Sequence, residues 1–240
     1  MVMVFLLLSA GEVNQDVPLW KKLSYSIGYS GGLCWRGKDL MPYCPYMFCW
    51  EWPFYYLHSI ELSAIYPLGN EKGIEVGVGY GWARIEDAKG WGISVEPSDT
   101  GYLYGYLGGG HSWNIKRYCL ILEKVRCCSF INVGIGISYS NAITHEGLYY
   151  YKLTSGGGEW ILMQEAMVTR HCLGGSIKGM IEYPVIKSKD ISLSLSAIAK
   201  FSMDWEVYNN SPFKWTGKEK KIWLHFSGVY IKIKILIGGE

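Results

Sequence analysis

No stretch of this chain approaches the roughly 18 uninterrupted apolar residues that a membrane-crossing helix needs, although 49% of its residues are hydrophobic. A helical membrane protein is therefore excluded. Charge is scarce too: Asp, Glu, Lys and Arg make up 18% of the chain, against about a quarter in ordinary globular domains. The net charge is only +2 and the cations are scattered, so the basic stripe of a nucleic-acid binder is missing. There is no Walker-type, dinucleotide-binding or paired-CxxC zinc motif, and the reading carries no cofactor and no metal. The run Gly156 to Gly158 is a loop hinge, too weak a signal for phosphate binding. Seven cysteines cannot all pair within one chain, and adjacent Cys127 and Cys128 suit no common metal spacing. A loop disulfide between Cys44 and Cys49 would fit an oxidising compartment; an inert set of thiols fits as well.

What the chain has instead is 30 Gly, 19 Tyr and 11 Trp, so much of its surface must be apolar or aromatic. The start, Met1 to Gly11, pairs an apolar run with small residues near Ala10, as in a secretory signal, though without basic residues in front. Residues 1–11 are read as a signal-peptide remnant, with a short buried strand over Val2 to Leu8 as the alternative. Residues 12–240 are read as a single domain.

Alternation with a period of two, the mark of a strand with two unlike faces, recurs throughout. In Lys22 to Ser30 the apolar set is Leu23, Tyr25, Ile27 and Tyr29, against Lys, Ser and Gly. In Ile74 to Trp82 it is Ile74, Val76, Val78, Tyr80 and Trp82, against Glu75, Gly77, Gly79 and Gly81. The segments Ile131 to Ser140 and Ile191 to Phe201 repeat the pattern. A soluble sheet pairs its bulky face with a coat of Lys, Glu and Thr. Here the second face is mostly Gly and Ser, which suits the inside of a narrow barrel of about eight strands. The bulky face must then meet lipid, and the sequence reads inside-out.

Connection lengths agree. Strands are expected at about 21–33, 58–66, 74–86, 113–123, 129–141, 172–183, 190–203 and 221–237. Connections 67–73, 124–128 and 184–189 are then short, and 34–57, 87–112, 142–171 and 204–220 long, as at the two ends of an up-and-down membrane barrel. Two of the short turns leave their strand through Tyr-Pro, at Tyr66 and Tyr183. The parity of 113–123 is mixed, and that of the last strand changes near Ser227, which a bulge at Gly228 would repair. The alternating stretch 91–110 extends the barrel or adds a hairpin, so ten strands is the alternative. The expected fold is a closed, antiparallel, all-β transmembrane barrel.

With Ser59 to Tyr66 paired to Gly73 to Trp82, Ser176 to Tyr183 paired to Ile191 to Phe201, and a closing strand Leu224 to Ile237, the chain resembles the outer-membrane β-barrel family typified by the membrane domain of outer membrane protein A and by outer membrane protein X. The resemblance covers about residues 21–237 as architecture. It implies an outer-membrane location after export, a bilayer and its lipids as partners, and no catalytic signature.

If the small face points inward, Glu61, Glu75, Lys178, Glu182, Lys200, Lys232 and Lys234 fall inside. Charges so confined must be paired or hydrated, so a lumenal salt-bridge network that plugs the bore is expected. A gated pore lined by the same groups is the alternative, and Glu75 and Lys200 would on a third view project beyond the membrane. Tyr66, Trp82, Trp113, Tyr139, Tyr183, Trp205 and Trp223 lie near strand ends and are expected to form the two aromatic girdles of such a barrel. An acyl-modifying enzyme would need a convergent His and Ser; the candidates are His58-Ser59, His111-Ser112, His145-Glu146 and His171, but neighbours on a strand face opposite sides. The functional expectation is a structural or surface-interaction role through the long connections, with 34–57 the leading contact surface for an extracellular ligand. A small pore, a secreted lipocalin-like barrel and a lipid A-modifying enzyme are the alternatives.

Overall fold

A computed structural model describes residues 23–36, 54–69, 72–86, 93–98, 101–128, 131–154, 157–188, 190–212 and 221–238. They form ten strands: β1 Ser24–Trp35, β2 Phe54–Gly69, β3 Lys72–Glu86, β4 Ile93–Ser98, β5 Gly101–Cys128, β6 Ile131–Thr154, β7 Gly157–Lys187, β8 Ile191–Asn209, β9 Trp223–His225 and β10 Gly228–Ile237. Eight of them close an antiparallel ring in the order β1, β2, β3, β5, β6, β7, β8, β10, with β10 pairing both β8 and β1. Strand β4 hangs on β5 outside the ring, and β9 pairs only the upper part of β8. The expected residues 1–11, the Cys44–Cys49 pair and most of connection 34–57 lie outside the described residues, as do the side chains of His111, Ser112, Cys127, Cys128 and Glu146.

The size of the barrel follows from its register. A row of paired residues runs from Leu195 through Ile233, Tyr29, Ile60, Tyr80, Tyr118, Tyr139 and Leu173 and returns to β8 at Trp205, ten residues beyond its start. Eight strands with that stagger tilt about 40° from the axis and enclose a radius of about 8 Å. Such a bore is filled by side chains alone.

Orientation is the inside-out one in the half of the barrel nearer the short turns. Ile27, Val78, Ile135, Ile137, Ile177, Phe201 and Ile233 point outward and are exposed, while Ser26, Glu75, Ser138, Lys178, Ser196 and Lys232 point inward and are buried. Towards the long connections the two faces exchange character on β5 and β3, while Thr144, Arg170 and Glu206 stay inward on β6, β7 and β8. On β5, Leu120 and Leu122 are outward, but Asn114 and Lys116 replace them above; Glu123 is inward below, and Trp113 and Ile115 above. On β3 the outward run Val78, Tyr80, Trp82 gives way to Arg84, and the inward glycines give way to Ala83 and Ile85. On β6, outward Tyr139 is followed by outward Asn141 and inward Ala142.

This exchange corrects several expectations. The mixed parity of 113–123 is one strand crossing the level of exchange. The interior is not uniformly small and polar: Cys34, Tyr55, Leu57, Ile85, Trp113, Ile115, Ile222, Leu224, Phe226 and Tyr230 form a buried apolar cluster at the end of the long connections. Trp113 belongs to that cluster, 2% exposed, and not to an outer girdle. The expected loop 142–171 is instead the continuation of β6 and β7, paired out to Thr154 and Gly157. With β4 and the start of β5, this hairpin forms a four-stranded sheet extending beyond the ring. No bulge is present at Gly228: Lys200–Gly228 and Met203–His225 keep one register, and inward parity is constant from Leu224 to Lys234. What changes there is inward chemistry, from lysine to aromatic. Both Tyr-Pro exits do shift register, after Pro67 and Pro184, because proline has no N–H to give the ladder.

Candidate functional site in the barrel interior

Small residues on the inner face leave volume, and long charged side chains from neighbouring strands fill it. A Cβ on Gly28 would stand 2.5 Å from Lys232 Cε, one on Gly134 would stand 2.9 Å from Lys178 Cε, and one on Gly174 would collide with an Asp204 carboxylate oxygen. Gly28, Gly134 and Gly174 thus make room for lumenal charges, while Gly32 makes room for Tyr230 and Gly136 for Ser176. Those charges balance: the inward carboxylates of Glu61, Glu75, Glu123, Glu182, Asp204 and Glu206 face the inward cations Arg117, Arg170, Lys178, Lys200, Lys232 and Lys234.

They are arranged in tiers. Nearest the short turns, Lys234 Nζ lies 3.4 Å from Glu75 and 3.1 Å from Glu182. Ser63 donates to Glu75 and shares a 2.6 Å bond with Ser26. Asn132 and Ser194 both donate to Glu182. Above them Glu61 takes Lys232 as its close partner and Lys178 at 3.8 Å, and Lys178 also reaches Glu123 at 2.8 Å. Lys200 stands apart, its Nζ 5.5 Å from the centre of the Tyr230 ring; the expectation that it joins an ion pair is corrected, since among the described residues no carboxylate lies in range. Lys200, Tyr230, Ser30, Ser59 and Ser176 border a void of about 20 Å³, room for roughly one water. Glu75 is 3% exposed and Lys200 is half-buried over the Tyr230 ring, so neither projects beyond the barrel.

The next tier lies outside the expected charge network. Arg117 donates through Nε and Nη2 to the two oxygens of Asp204, at 3.1 and 2.9 Å. Ser138 donates to Asp204 at 2.7 Å and Ser140 does so as well, while Ser202 accepts from Arg117 at 2.6 Å. The Phe226 ring lies 4.4 Å from the guanidinium carbon, a cation–π contact that closes the remaining side. Higher still, Arg170 pairs with Glu206 at 2.8 Å, and Glu206 also accepts the Ile222 amide at 3.1 Å. The signal for Asp204 and Glu206 was available: they extend the alternation Ser194, Ser196, Ser202 past the expected strand end at 203.

On the outer face Tyr66 and Tyr183 lie at the short-turn end, Tyr183 fully outward and Tyr66 half-buried. Trp205 and Trp223 pair edge to face with centroids 4.0 Å apart. Trp82 and Tyr139 sit in a continuous chain of ring contacts, Tyr29, His58, Trp82, Tyr80, Tyr118, Tyr139, His171 and Tyr208, at 5.3 to 6.1 Å. Of the candidate histidines whose side chains are described, His58, His145 and His171, none is hydrogen-bonded to a serine. His58 accepts or donates at Tyr29, 2.7 Å away, on the outer face, with Ser59 inward on Ser30. His171 partners Tyr139, and His145 meets Glu165 at 3.1 Å, both exposed.

No protein-family model matches this chain, and no curated protein does. Among solved structures, a major outer membrane protein from Thermus thermophilus matches with a TM-score of 0.35 and 8% identity, over 90% of this chain and 98% of that one.

Proposed function

We propose that this chain is an exported outer-membrane barrel whose bore is plugged by ion pairs and whose role is structural or one of surface interaction. The observation that carries the reading is the exchange of inner and outer polarity at one level of the barrel. A barrel in water alone keeps one pattern along each strand, apolar inside and polar outside. A barrel that leaves a bilayer must change from lipid-facing to water-facing partway up its strands, as β3 and β5 do. Below the exchange, Ile74 to Trp82 and Ile131 to Tyr139 each cover nine residues. At about 3.3 Å per residue and a tilt of about 40° that is about 22 Å, close to the roughly 25 Å apolar band of such barrels.

The bore supports the plugged form over the pore. Lys178 reaches from β7 to Glu61 on β2, the strand opposite, and Lys234 from β10 to Glu75 on β3, so the pairs span the lumen rather than line it. Opening it would strand buried charges, at several kcal/mol each. Contact with a partner is assigned to the end of the long connections, where β4 to β7 project past the ring. Two measurements test the reading. Refolded in lipid vesicles, the unheated chain should migrate differently from the boiled chain on a detergent gel, and planar bilayers should show no steady conductance. A chain soluble without detergent would refute the membrane assignment; stable ohmic channels would refute the plug.

A further inference from the structure

Above the aliphatic surface, the outer face is ordered in register rows that cross the strands. One row is Leu62, Val78, Leu120, Ile137; the next is Ile60, Tyr80, Tyr118, Tyr139, Leu173; the one above is His58, Trp82, Lys116, Asn141, His171, Tyr208. Between the first two runs an outward-open groove of about 840 Å³, crossing β2, β3, β5, β6 and β7. Its floor is the backbone of Gly79, Cys119, Ser138 and Gly174, which are themselves register partners. Five strands at about 4.8 Å make it about 19 Å long, and its walls are aliphatic on one side and aromatic on the other.

The row above it is where hydrogen-bonding groups enter the outer face. Lys116 is exposed there, directly opposite Trp82 on β3 and Asn141 on β6. Arg84, on the same face, pairs with Asn114 one row further up. A cation and an amide thus stand about 7 Å along the strand from the aromatic wall of an apolar groove.

We propose that this groove and Lys116 form a seat for one anionic phospholipid: an acyl chain lies between the aliphatic and tyrosine rows, and the phosphate meets Lys116 with Asn141 beside it. The occupant is a lipid because the groove opens on the face assigned above to the bilayer, and the inference rests on that assignment. It is an anionic lipid because the polar group over the groove is a cation, and a headgroup phosphate supplies the matching charge and acceptor oxygens. Tyr118 and Trp82 flank the position with rings suited to the headgroup zone.

The test uses the whole chain refolded in vesicles of phosphatidylglycerol mixed with phosphatidylcholine, extracted in mild detergent and weighed by native mass spectrometry. The wild type should retain one phosphatidylglycerol in preference to phosphatidylcholine. Lys116→Gln should lower that retention about fivefold, the effect of one basic group near an anionic surface, and Ile137→Trp, which fills the groove, should abolish it. Both side chains face outward, and the heat-modified gel shift, read in the same samples, reports insertion of the barrel separately. A folded, inserted wild type that retains both lipids equally, or a K116Q variant that holds phosphatidylglycerol as well as the wild type, overturns the seat and leaves the barrel reading intact.

Discussion

Arg117 on β5 and Asp204 on β8 meet in a two-pronged ion pair although β6 and β7 lie between their strands. Both are buried to 1% exposure or less, and Ser138, Ser140 and Ser202 add hydrogen bonds to them. The pair therefore ties together strands that stand three apart in the ring of eight. Asp204→Ala should cost about 3–5 kcal/mol, since it leaves a buried guanidinium without its counterion. The double variant R117M/D204L should cost less than D204A alone. Urea unfolding in vesicles measures both, and a D204A loss below about 1 kcal/mol would mean the tie carries no stability.

Gly28 is the space for a lysine. Gly28→Val would drive Lys232 away from Glu61 and should lower stability by about 1–3 kcal/mol, the usual range for overpacking a filled interior. Gly179→Ala is the matched control: a Cβ there meets nothing within 4 Å, so the change should stay within about 0.5 kcal/mol. Unfolding midpoints of the two variants, compared with the wild type, decide the point.

Cys34 and Cys172 are free thiols with no exposed surface, and Cys34 Sγ lies 2.7 Å from the Tyr230 hydroxyl. In a variant whose other five cysteines are serine, neither should react with a maleimide until urea opens the barrel. Labelling of the folded chain at the rate seen in urea would show that water reaches the apolar cluster.

The lower barrel was legible because an apolar outer face and a cramped interior impose opposite, strictly alternating demands on each strand. Ile131 to Ser140 shows them residue by residue, and it yields strand, parity and orientation together. The upper barrel was not, because the demands reverse there. Once Asn141 is outward and Ala142 inward, the same strand no longer matches a membrane pattern, so the expected boundaries at 141 and 172 mark the polarity exchange and not the strand ends. Trp113 misled for the same reason: an aromatic near a strand end suits a girdle or a dry core equally, and only the level of exchange distinguishes them. Glu61, Glu75, Lys178, Glu182, Lys232 and Lys234 were visible as charges interrupting a small-residue face. Which of them pair, and the further partner Glu123, were not visible, since pairing across the bore depends on the ten-residue stagger, which no local pattern encodes.

The account rests on a change of surroundings along one strand, and a spin-label scan of the outward positions of β6 measures it directly. Labels placed singly at Val133, Ile135, Ile137, Asn141, Ile143 and His145 would be read in vesicles for collision with oxygen, which concentrates in lipid, and with a water-soluble nickel complex. Oxygen should dominate from Val133 through Ile137, and the nickel complex from Asn141 through His145. A nickel complex that reaches Ile135 as readily as His145 would contradict the account.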